Sequence, residues 1–242
     1  MAVDKFLSRI ETPDVEDNAC SNSTGLANLI HDFSYGIVSD PITVLAILFS
    51  AFIHDADHRG VSNVQMQKEE PDMATLYKNQ SIAEQHSLDL AWGVLMEDRY
   101  QELRSALFVS REEMLRFRQV TVQVVLATDI FDKDLNGRRK ARWDRAFSAD
   151  EGANKDLRTT IVIEHIIQAS DVSHTMQHWH VYRKWNRNLF LEMNSAYRSG
   201  RMGSDPASFW YKGELSFFDN YVIPLAKKLK DCGVFGVSSG KQ

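Results

Sequence analysis

A chain of 242 residues, 43% hydrophobic and 25% charged, is long enough to bury a sizeable core and has the composition of an ordinary globular protein. A formal net charge of −5 and a pI near 5.9 supply no basic footprint for nucleic acid or an anionic membrane, so an anionic ligand has to be held locally by a metal or a few donors. Cys20 and Cys232 show neither metal-ligand spacing nor a disulfide framework, which fits a reducing, cytoplasmic setting. The opening MAVDKFLSRIETPD lacks the apolar core of a secretory leader, and the apolar run from Ile42 to Ile53 is too short to span a bilayer.

In chain order the first strong element is a helix with Asp40 or Ser39 as its cap and Pro41 at the first helical position, carrying the apolar run to His54 and stopping near Gly60. A second opens at SIAE, where Ser81 and Glu84 have capping-box spacing, and continues through Leu88, Ala91 and Leu95. A third opens at SREE, with Met114, Phe117, Val120, Val124, Ala127 and Phe131 three and four apart. Helical patterns follow over Leu157 to Lys184 and from about Phe209 to Lys230, the latter interrupted by Pro224. Polar stretches at 11–25, 60–80, 132–156 and 199–208 read as loops. Strand alternation and hairpin signals are scarce, and LNGR at 135–138 stands between helical patterns. The expectation is one compact, multi-helix, all-α domain over 1–242.

The chemistry gathers at helix ends. His54 and Asp55 close the apolar helix, where adjacent side chains at the last turn can lean toward one ion, and His58 follows His54 by four on the same face. Alone, the pair has a plain reading: a histidine against the helix C-terminal dipole and an aspartate taking a loop amide. Asp171 in SDVSH changes the balance, because it follows the apolar stretch Ile161 to Ala169, and a carboxylate at the end of a buried helix is costly unless paired or ligating. An imidazole and two carboxylates from distant segments suit a Zn²⁺ or Mg²⁺ site. His31 of LIHDFSYG also precedes an aspartate, but no third group is in step with it.

Several stretches carry a family resemblance: DPITVLAILFSAFIHDADHRGVSN, NQSIAEQH, VLATDIFDK, ASDVSH followed by YRKW, and ELSFFDNYVIPLAKKL. In order and approximate spacing they resemble the class I cyclic nucleotide phosphodiesterase catalytic domain, from about Phe6 to Lys230. The resemblance implies an HD-type helical domain with a buried binuclear metal site, usually Zn²⁺ with Mg²⁺ or Mn²⁺. There an activated water opens the 3′,5′-cyclic ester of cAMP or cGMP to a 5′-monophosphate, a step of cyclic-nucleotide signalling. By position, His54, Asp55 and Asp171 resemble ligands of the tighter metal, with Asp55 bridging to the second ion. His58 and Glu84 would orient water on that ion, and Thr128 and Asp129 would line the pocket. Glu84 has a competing reading as the partner of Ser81, and Asp129 as a residue of a C-terminal turn.

The resemblance places the base site toward the C-terminus, with Phe217 and Leu189 enclosing the purine. The family's glutamine is replaced by Glu214, its following glycine by Ser216, and the asparagine that many members carry after the aspartate motif by His174. The family's H-N-x-x-H segment, source of a metal ligand and of the general acid, would precede KFLSRI. No histidine precedes His31, so the sequence reads as an N-terminally shortened domain and the expectation is a piece of a longer multidomain protein. Two readings follow: a cyclic-nucleotide hydrolase, and alternatively a non-catalytic cyclic-nucleotide- or metal-binding regulatory module. A His-Asp phosphohydrolase for another ester is a third, against which ELSFFD argues.

Overall fold

Asp40 starts the helix Pro41–Ile53. Its carboxylate accepts from the Thr43 amide at 3.3 Å and from the Thr43 hydroxyl, and Arg116 donates to it at 2.5 Å. Pro41 occupies the first position, where a missing N–H removes no helical bond. This computed structural model describes residues 2–10, 34–147 and 155–235; His31 and Cys20 lie outside them. Among the described residues the regular elements are helical, and the one β-type feature is an isolated bridge between Ile10 and Phe235.

The chain divides into two compact units, each discontinuous in sequence: Met1–Ala51 with Ser110–Ser170 and Leu225–Gln242, and Phe52–Val109 with Asp171–Pro224. In the first, Ile37, Ala46 and Ile47 are buried, as are Phe117, Val124 and Val125 from the helix Arg111–Leu126 and Ile161, Val162, Ile166 and Ile167 from the helix Lys155–Asp171. Phe49 and Phe117 meet ring to ring at 5.3 Å. Ser110 caps the 111–126 helix by accepting from the Glu113 amide at 3.2 Å, as SREE leads one to expect. The second unit packs Met66, Ala74, Ile82 and Ala83 against Val61, Met73 and Tyr77.

Several sequence expectations need correction. Residues 60–80 are not a loop: they hold helices Asn63–Glu69 and Pro71–Leu76, the first capped by Ser62 and the second opened by Pro71. Most of the supposed loop at 132–156 that is described is the helix Lys133–Ala146. Its charge density hides a narrow apolar face, while Asp132 accepts from the Leu135 amide at 2.9 Å as its cap and Trp143 stacks on Phe147 at 4.3 Å. Phe131, placed on the third helix's apolar stripe, lies beyond that helix and is 87% exposed.

The pattern from Leu157 to Lys184 breaks after Asp171 into a 3₁₀ turn, Ser173–Met176, before the helix Trp179–Arg198. Hydroxyls of Ser170 and Thr175 take the carbonyls of Ile166 and Val172 there, bonds that compete with helix continuation. Near the C-terminus the helix Trp210–Phe217 runs through a π turn, Phe218–Val222, into Ile223–Asp231. Proline at 224 lacks an N–H and crowds the carbonyl four residues back, and the widened turn absorbs that clash. No helix among the described residues is long and apolar enough to cross a membrane.

Candidate metal centre

The 41–53 helix ends at Ile53, so His54 and Asp55 stand on a turn just beyond its last residue, while Asp171 is the final residue of its own helix. His54 Nε2 lies 3.3 Å from Asp55 Oδ2 and 3.4 Å from Asp171 Oδ1, and all three ligand atoms fall within 4.8 Å of one another. Those two separations match the edge of a tetrahedron whose bonds to a central ion are about 2.0–2.1 Å. One imidazole and two carboxylates form a borderline-hard donor set that fits a divalent cation, and among the described residues no other group of three such side chains converges in this way.

The site is not buried as expected. The side chains of His54, Asp55 and Asp171 are 17%, 68% and 37% exposed, because Asp55 projects from a turn rather than from a packed helix face. Open carboxylates retain lone pairs for an ion and its waters. The turn itself is closed by the Ala56 amide donating to Ile53 O and the His58 amide to Asp55 O. Asp57 takes a left-handed conformation, φ 60°. Its carboxylate meets His86 Nε2 at 2.8 Å and Arg59 Nη1 at 3.2 Å. The bond to His86, reinforced by the charge of Arg59, holds the Asp57 carboxyl below the ordinary carboxylate range.

His58 belongs to the same turn, where its Nδ1 accepts from the Gly60 amide at 3.1 Å. Ser81 adopts φ 40°, a left-handed conformation, and its side chain makes no capping hydrogen bond to the helix, so that half of the capping-box expectation is not met. Asn63 takes over: its Oδ1 accepts from the Ala83 amide at 2.9 Å and its Nδ2 donates to Glu84 Oε2 at 3.0 Å. The signal was present in HRGVSN, whose final residue is Asn63. Asp129 belongs to the other unit, where its carboxylate is buried and accepts from the Phe131 and Asp132 amides at 3.2 Å, and the Thr128 hydroxyl donates to Val125 O. That bonding is the helix-terminal turn role which was its competing reading.

The four residues proposed for the base lie in the unit that holds His54, Asp55 and Asp171. Burial pushes the His174 imidazole below its ordinary pKa, while the charges of Asp171 and Glu214 and a bond to the Asp171 backbone pull it back up. His174 is therefore within electrostatic reach of Asp171 and of Glu214 at once. Glu214 accepts a hydrogen bond from the Tyr182 hydroxyl and does not turn to Lys212. Sequence reasoning missed what stands behind Tyr182: Asn186 Nδ2 donates to its oxygen at 3.3 Å, and Trp210 Nε1 donates to Asn186 Oδ1 at 3.2 Å. An indole N–H can only donate, so the chain Trp210, Asn186, Tyr182 has one polarity and delivers a donor to Glu214. Burial and the adjoining carboxylate raise the Tyr182 phenol well above its ordinary pKa. Phe217 stacks on Tyr221 at 5.4 Å, and Leu189 is nearly half exposed.

A helical protein that gathers a histidine and two aspartates from helix ends into one open cluster has the build of a metal-dependent phosphohydrolase. The family profile described as 3′5′-cyclic nucleotide phosphodiesterase matches residues 24–233, and the chain belongs to that family. The mouse dual specificity calcium/calmodulin-dependent 3′,5′-cyclic nucleotide phosphodiesterase 1C is 27% identical over 169 residues, 70% of this chain and 21% of the relative. The Caenorhabditis elegans probable 3′,5′-cyclic-AMP phosphodiesterase pde-4 is 26% identical over 159 residues, 62% of this chain and 23% of the relative. The chain thus spans about a fifth of the length of the curated relatives it matches. Among solved structures, the phosphodiesterase domain of the RhoPDE fusion protein from the choanoflagellate Salpingoeca rosetta shares the fold. Its TM-score is 0.65 at 21% identity, covering 96% of this chain and 76% of that one. Divalent-metal dependence goes with the family.

Proposed function

We propose that the chain is a catalytic module hydrolysing 3′,5′-cyclic nucleotides to 5′-monophosphates, with His54, Asp55 and Asp171 as metal ligands. The convergence of those three groups within 4.8 Å, in a chain belonging to this family, is the observation that carries the reading. Two divalent ions, Zn²⁺ with Mg²⁺ or Mn²⁺, would supply Lewis acidity and an activated water. Asp55, the most exposed ligand, keeps an oxygen for the second ion. His58 and Glu84 would orient water at that ion. The water oxygen adds to phosphorus, the P–O3′ bond breaks, and O3′ leaves with a proton. Phe217 and Leu189 hold the purine, with His174 between the reacting centre and Glu214. Glu214 accepts from Tyr182, and a carboxylate edge that only accepts suits the N1–H and 2-amino donors of guanine better than the acceptor N1 of adenine.

The family match draws on residues from both compact units, which supports one catalytic domain. The solved neighbour is part of a fusion protein, which supports a module within a longer, multidomain chain. A cytoplasmic setting, a small-molecule partner and no nucleic acid belong to the same proposal, the last in keeping with the net charge of −5. The test is release of 5′-monophosphate from cGMP and cAMP with Mn²⁺, with chelator, and after Asp171→Ala. Metal-dependent release that disappears in the variant supports the proposal. Metal and nucleotide binding without turnover would overturn it in favour of a regulatory binding module.

A further inference from the structure

The ligand-bearing turn is held from outside by two consecutive side chains of the Ile82–Met96 helix, and neither belongs to the expected ligand or water-orienting set. His86 Nε2 reaches Asp57 Oδ2 at 2.8 Å. Ser87, buried to 1% exposure, donates its hydroxyl to Ala56 O at 2.8 Å. These two bonds pin the two residues that directly follow Asp55. Asp55 has need of such support, since its own side chain is 68% exposed and meets His54 Nε2 at 3.3 Å. The turn also carries Asp57 at φ 60°, a left-handed conformation that persists where its surroundings hold it. A second brace approaches from the far end, where Arg201, forked onto Glu69 at 2.8 and 2.6 Å, also donates to Arg59 O at 3.4 Å.

We propose that His86 and Ser87 are positioning residues for the metal centre: together they clamp the 56–57 peptide so that the Asp55 carboxylate is held at ion-binding distance from His54 and Asp171. The inference rests on the metal reading above and extends it to residues that touch neither ion nor substrate. A clamp of this kind acts on affinity by removing the ordering that the ion would otherwise have to impose on the turn, and outer-shell groups of this type typically change metal affinity by about 10- to 100-fold.

The experiment is calorimetric titration of the metal-free chain with Mn²⁺, accompanied by thermal melts in chelator. His86→Ala is expected to weaken Mn²⁺ binding by about tenfold or more while the chelated protein melts close to wild type, and His86→Gln, whose amide N–H still donates, to recover part of the loss. Asp57→Gly accepts the left-handed backbone freely but lacks the carboxylate, so it should bind as weakly as His86→Ala, and the double variant should be no weaker than either single one. Ser87→Ala reports on the second bond independently and should weaken binding in the same direction. Wild-type affinity in His86→Ala, or in Asp57→Gly, overturns the clamp alone. Failure of the wild-type chain itself to bind Mn²⁺ overturns the metal reading and the clamp with it.

Discussion

Glu164 and Asp171 are carboxylates on one helix, about two turns apart, and the protein surrounds them in opposite ways. Glu164 is buried and held by two protein donors, Arg142 at 2.7 Å and Gln123 at 3.2 Å, on one of its oxygens. Around it the first unit closes its other polar groups: His165 bonds Ile161 O at 2.7 Å, Gln168 donates to Ala127 O at 2.8 Å, and Trp143 lies between His165 at 5.1 Å and the Lys228 ammonium at 5.0 Å. Asp171 faces the His54 imidazole at 3.4 Å and water. A buried charge whose bonds are all supplied internally contributes to holding the fold, whereas one left with open lone pairs beside a second carboxylate is available to a cation. The comparison separates two carboxylates that composition and helix position alone make look alike.

The difference can be broken at either end. The largest expected effect is at the open end: Asp171→Ala should weaken divalent-metal binding by more than about 100-fold in a titration while barely moving the melting temperature of the chelated protein. At the closed end the signs reverse. Arg142→Ala leaves Glu164 buried with one donor fewer, and should lower unfolding free energy by about 2–4 kcal/mol in a denaturant titration with metal affinity unchanged. Equal effects of the two variants on both readouts would erase the distinction.

His165 sharpens the same contrast through pH. Burial pushes its imidazole down to about 4, the Ile161 carbonyl opposes that shift, and the charges of Lys228, Arg139 and Arg142 add to it. The folded protein therefore binds a proton less readily than the unfolded chain, whose histidine titrates near 6.5. Stability from this group is fully present above about pH 6.5 and is lost as pH falls toward 4, by up to about 3 kcal/mol. Unfolding free energies measured from pH 7 to 4 should show the fall, and His165→Gln should flatten it. Glu214→Gln is the smallest expected change. It exchanges an acceptor-only edge for an amide and should raise the cAMP-to-cGMP ratio of turnover or binding by roughly 10-fold. A ratio unchanged by the substitution would detach Glu214 from the base.

The His54, Asp55 and Asp171 cluster was legible because His-Asp after an apolar helix and a lone aspartate after another are each costly unless something uses them. The caps at Asp40 and Ser110 were legible because their bonds span three residues. The short helices at 63–69, 71–76 and 101–107 were not, since their periods are too few to register. The last is helped by Arg104, which donates to the carbonyls of Leu95 and Glu97. The Lys133–Ala146 helix was hidden by its charges. The Trp210–Asn186 and Tyr182–Glu214 bonds and the His86–Asp57 pair were beyond reach for a different reason: each joins residues 24 to 32 positions apart whose side chains have no shared period.

Asn63 carries a consequence for the stability of the helix it caps. It closes the first turn of the Ile82–Met96 helix from 20 residues upstream, while Ser81, the residue placed to do so locally, is turned away in a left-handed conformation. Helix nucleation is the unfavourable step, with a penalty of about 10⁻³ on the equilibrium, and a local cap is what ordinarily eases it. The side chain that caps the 82–96 segment is that of residue 63, so the stability of its first turn depends on the 63–69 helix. The turn that presents His54 and Asp55, lying between Ile53 and Asn63, then ends on the residue that couples the two helices.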